Sequence, residues 1–153
     1  MRILKIIDGF VTNSSSSSAP LVLALKYNLN FSDVLKKLGM DLNNPFIADL
    51  ANTLDKKFIN NRFINCPPDR IIDSKDFENY EGYHITLDNI PDDCRSGYQI
   101  SSIDVTVQVY SGGGWIDFID AFFVKLGWEM SKSRLEELLE DDLIVIYAGP
   151  AED

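Results

Sequence analysis

The residues best suited to chemistry are Ser111, Gly112, Gly113 and Gly114, followed at once by Trp115, Ile116 and Asp117. Glycines there let backbone N–H groups approach a phosphate, and a helix starting behind them would add the partial positive charge of its N-terminus. No lysine follows the glycines, so a P-loop is excluded. Asp117 and Asp120 would also stand in the first turn of that helix, where they repel an anion. The second chemical group is acidic. Asp88, Asp92 and Asp93 flank a turn, and Asp104, Asp117 and Asp120 converge if a strand packs on the helix after it. Hard cations and two-metal hydrolases want such oxygens. The spacing matches no calcium loop, however, and 24 acidic residues produce clusters by chance. Solvated faces are expected, with no metal site.

Nucleophiles are few. Cys66 and Cys94 are separated by 27 intervening residues, which makes neither a disulfide framework nor a zinc knuckle. Neither starts a C-x5-R phosphatase loop, because the sixth position onward is Ile72 in one case and Ile100 in the other. Buried, unreactive thiols are expected. His84 is the single histidine, so every site needing two is excluded, H-E-x-x-H zinc sites included. No cofactor is expected.

Charge is the stronger signal. The 153 residues carry a formal net charge of −10. Residues 1–65 hold 8 Lys/Arg against 5 Asp/Glu, whereas residues 66–153 hold 6 against 19. Such a field repels phosphate backbones, which argues against direct nucleic-acid binding, and it speeds encounter with basic partners. The acids placed for such contact are Asp92, Asp93, Glu136, Glu137, Glu140, Asp141 and Asp142. No run approaches the roughly 18 apolar residues of a membrane span. Asp8 and Gly9 interrupt the place where a signal peptide needs its apolar stretch, so a cytoplasmic location is expected.

These groups need elements to hold them. Residues 2–7 and 20–27 read as strands, with Pro20 at the first position of the second, where a missing N–H matters least. Between them lie Ser14 to Ser18, expected to be a mobile loop. Ser32 can cap a first helix carrying Val34, Leu35 and Leu38, ended by Gly39. Asn44-Pro45 starts a second helix over 45–59, whose apolar face is Phe46, Ile47, Leu50, Ala51, Leu54 and Phe58. Tyr83, Ile85 and Leu87 alternate as a half-buried strand. Residues 98–110 alternate too, but the phase slips, which predicts a β-bulge at Ser101-Ser102. Helices over 115–127 and from the Ser133/Glu136 capping box come next, then a last strand at 143–148. Strands and helices come in blocks, which points to an α+β fold in one domain spanning 1–153. A mixed or antiparallel sheet of about five to seven strands, with about four helices packed on it, is expected.

Two strings resemble known families. SGGGWID faintly resembles the Ser-Gly-Gly-x-Asp-Ser loop of ATP pyrophosphatases, although Asp117 comes one residue late and no serine follows it. GFVTNSSSSS, over Gly9 to Ser18, resembles the leader of a loose group of uncharacterised archaeal, bacterial and phage proteins. That resemblance brings no activity; it implies a microbial or mobile-element context. Taken together, the residues favour a non-catalytic acidic interaction protein that binds a basic protein partner, one variant being a nucleic-acid mimic. The alternative is an enzyme or sensor binding a phosphorylated small molecule at Ser111 to Gly114. A third reading is self-association through Trp115, Phe118, Phe122 and Trp128.

Overall fold

A computed structural model describes residues 2–3, 17–78, 85–107, 137 and 139–148. In chain order its elements are β1 (Arg2–Ile3), β2 (Ser17–Lys26), α1 (Phe31–Lys37), α2 (Pro45–Asn60), β3 (Arg62–Asn65), β4 (Tyr98–Val107) and β5 (Leu143–Ala148). Among the described residues, three short 3₁₀ turns lie between β3 and β4. The sheet runs β1-β5-β2-β4-β3. Its four longer strands are antiparallel, and the two residues of β1 join β5 in parallel. The α+β class holds, but the described residues give fewer full strands than expected and two α-helices instead of about four. The predicted helix at 115–127 lies outside the described residues, and of the predicted helix after Ser133 only Glu137 and Leu139 are described as helical.

Local capping explains both helices. Asn44 accepts a hydrogen bond from the Phe46 N–H, and Pro45 follows at the first helical position, where it has no bond to lose. In α1 the cap is Asn30 and not Ser32 as expected. Asn30 accepts from the Asp33 N–H, and the Asp33 carboxylate accepts from the Asn30 N–H in return. Gly39 ends α1 as expected, with φ at +82°. Its N–H donates to the Lys36 carbonyl and the Met40 N–H to that of Leu35, the paired bonds of a Schellman motif.

The β2–β4 ladder runs without interruption from Lys26–Tyr98 to Ser17–Val107. Two expectations fail on it. Ser17 and Ser18 are strand residues facing Val107 and Thr106, so the expected serine loop does not extend through them. The predicted bulge at Ser101-Ser102 is absent from this ladder; the register shifts instead at β3 between Arg62 and Ile64, and at β2/β5 between Val22 and Leu23. Where burial is described, at 22–25, 100–101 and 143–146, both faces of the sheet are covered. Val22, Ala24, Ile64, Ile100 and Ile144 pack with Cys66, Ile72, Ile90 and Cys94 on one face. The alternate residues Leu23, Leu25, Leu143 and Val145 are buried too, on the face that α1 and α2 cover. On that side Ser101 is fully buried, and its hydroxyl donates to the Phe58 carbonyl of α2 at 2.8 Å.

Pro20 stands within β2 rather than at its start. The Tyr27 N–H donates to the Gly97 carbonyl, and the register carries this alternation along the ladder, so odd-numbered β2 residues bond to β4 and even-numbered ones turn toward β5. The Lys26 N–H agrees, donating to the Asp142 carbonyl. Pro20 therefore directs its missing N–H past Ala148, the last described β5 residue, which faces Leu21. No ladder bond among the described residues is lost.

α2 lays Ile47, Ala51 and Phe58 inward, and Phe58 meets Phe31 of α1 edge-to-face at 5.7 Å. Phe46, expected on the same face, is 61% exposed because it stands on the opposite flank of the first turn. The predicted strand at 83–88 also fails where it is described. Leu87–Asn89 is a 3₁₀ turn, in which the Asn89 side-chain oxygen accepts from the N–H and the hydroxyl of Thr86. A side chain that bonds the backbone locally competes with strand pairing, and here it wins.

Candidate functional site

The second face of the sheet is covered by chain with little regular structure, described at 66–78 and 85–97. It is here that the acidic half of the sequence acquires a shape. Pro67 and Pro68 prevent β3 from continuing, and the chain returns to β4 only at Tyr98. Three ties join the outgoing and returning segments. The Cys66 N–H donates to the Tyr98 carbonyl at 3.0 Å, the Ile72 N–H to that of Arg95 at 2.8 Å, and the Ser96 hydroxyl to that of Pro68 at 2.9 Å. Gly97, with φ at +77°, passes close over the Pro68 ring.

Two arginines tie this layer together. Arg95 donates through Nε to the Ile90 carbonyl at 3.0 Å and through Nη2 to that of Leu87 at 3.2 Å, which fixes the turn between them. Its Nη1 stands 3.6 Å from Asp92. Arg70 makes a two-pronged contact with Asp76, at 3.1 and 3.2 Å. Burial pushes the Asp76 carboxyl up, but the Arg70 hydrogen bonds, the Asp73 N–H and the Arg70 charge outweigh it and hold Asp76 below its ordinary value. The Arg70 guanidinium is raised in turn, chiefly by its hydrogen bond to Asp76. Asp73 caps the 3₁₀ turn that carries Asp76, and each returns the other's backbone bond.

The described part of the layer contains seven acidic residues against three basic ones. Six of the acids, Asp69, Asp73, Glu78, Asp88, Asp92 and Asp93, are exposed. Residues 30–61, which form the helix side, hold four of each sign and are neutral. Among the described residues, the loop layer is therefore net negative while residues 30–61 are neutral.

The expected partner-binding acids part company. The Asp92 side chain is 96% exposed, and Asp93, Glu137, Glu140 and Asp141 are exposed as well. Asp142 is different. It is only 8% exposed, and its carboxylate is paired with Lys37 at the end of α1. It joins α1 to the start of β5 and offers little to a partner. Glu136 and the glycine string Ser111 to Gly114 lie outside the described residues, as do His84, Asp117 and Asp120. Cys66 and Cys94 are both buried and neither is in a disulfide. The Cys66 thiol lies 3.1 Å from the Arg70 carbonyl, a contact internal to the layer.

Asp69, Asp73 and Glu78 were not singled out from the sequence, although one signal for their placement was there. Asp73-Ser-Lys-Asp76 has the spacing of a capping box, which marks a short helical turn that sets its acids outward. Among the described residues no three His, Cys, Asp or Glu side chains gather to hold a metal ion, and no helix is long and apolar enough to cross a membrane. No family model, curated protein or solved structure matches the chain.

Proposed function

We propose that the protein is a non-catalytic interaction protein, working in the cytoplasm of a microbial or mobile-element host, whose acidic loop layer docks the basic surface of a protein partner. One observation carries this reading. Arg70 and Arg95 are engaged within the layer, on Asp76 and on the Leu87 and Ile90 carbonyls, while six carboxylates are exposed against one further basic side chain, Lys75. A face with seven acids against three basic residues keeps a net negative charge and attracts cations at range. A partner that normally grips phosphates is the natural variant, because carboxylates on a fixed scaffold present the same sign of charge.

The test is direct. A fluorescein-labelled Arg/Lys-rich peptide is titrated with the protein at low and at high salt, followed by anisotropy. Replacing Asp69, Asp88 and Asp92 together by asparagine removes three exposed charges without touching the Asp73 cap or the Arg70–Asp76 clasp. At about 0.5 kcal/mol for each exposed pair, the triple variant loses about 1.5 kcal/mol, roughly tenfold in Kd. Asp41→Asn with Asp49→Asn on the helix side should change Kd less than twofold. Binding that ignores salt, or that weakens equally with either set, sinks the proposal.

A further inference from the structure

We draw no further inference here: the strongest candidate, the outer edge of β4 beyond Ser102, where the backbone groups of Asp104 and Thr106 turn away from β2, carries nothing because no described residue shows what covers it.

Discussion

Asp55 tests how the helix side is held together. It sits on α2, yet its carboxylate accepts from the Phe31 N–H at 2.6 Å and from the Ser32 hydroxyl at 3.4 Å, both in the first turn of α1. One helix thus caps another across 24 residues of sequence. Replacing Asp55 by alanine leaves the N–H of Phe31, a residue only 5% exposed, without its partner. A lost cap costs about 1 kcal/mol, and losing a negative charge at a helix N-terminus adds about 0.5. With the desolvated N–H included, the total is about 2 kcal/mol. For a chain of this size that corresponds to about 4–8 °C in Tm. Asp55→Asn keeps an oxygen acceptor and loses only the charge, so it should cost about 0.5–1 kcal/mol. Urea unfolding followed by tryptophan fluorescence and far-UV dichroism gives both numbers, with m unchanged. Asp49→Ala, on the exposed flank of α2, is the control and should stay within about 0.5 kcal/mol of wild type. If Asp55→Ala falls in that same range, the inter-helix cap contributes nothing and the reasoning fails. If Asn proves as damaging as Ala, charge rather than hydrogen bonding does the holding.

Three further outcomes follow from the same geometry. Ser101→Ala removes the hydrogen bond from its buried hydroxyl to the Phe58 carbonyl and should lower stability by about 1–2 kcal/mol, measured by the urea midpoint. Gly39→Ala should cost about 1 kcal/mol, because φ is +82° while nothing lies within 4 Å of the added carbon; a neutral result would mean that the α1 terminus relaxes freely. Asp76 is depressed in the folded state, so its contribution is present above the unfolded carboxyl value of about 3.9 and is lost as pH falls through the lower folded value. Urea midpoints at pH 7 and pH 3 should therefore fall further for wild type than for Asp76→Asn, and equal falls would show that the Arg70 clasp is not coupled to folding.

What the sequence made legible was whatever is decided within a few residues. Asn44-Pro45 and Gly39 mark a helix start and a helix end by local rules, and both stand where those rules put them. Ser32 was the expected cap of α1, but Asn30 takes that place because Asp33 returns the bond to Asn30, which leaves the Ser32 hydroxyl to face Asp55. The apolar phase change in β4 read as a bulge from alternation alone, and the β2–β4 ladder passes Ser101-Ser102 without one. Long-range pairing was illegible because it joins residues far apart in sequence. Asp142 stood among the acids offered to a partner, and its burial depends on Lys37, 105 residues earlier. Of the candidate surface, the sign of the charge could be read, as could the half of the chain that bears it. The placement of Asp69, Asp73, Glu78, Asp88, Asp92 and Asp93 in one layer could not, since that depends on β3, β4 and the ties of Ile72 to Arg95 and Ser96 to Pro68.

The central claim is that the acidic loop layer, and not the helix side, is the face that meets a partner. Amide hydrogen exchange with and without an Arg/Lys-rich peptide, at matched low salt, tests it most directly. The account predicts slowed exchange at residues 69–78 and 86–95, abolished by raising the salt, with α1 and α2 unaffected. Protection centred on α1 and α2, or protection that survives high salt, would contradict it.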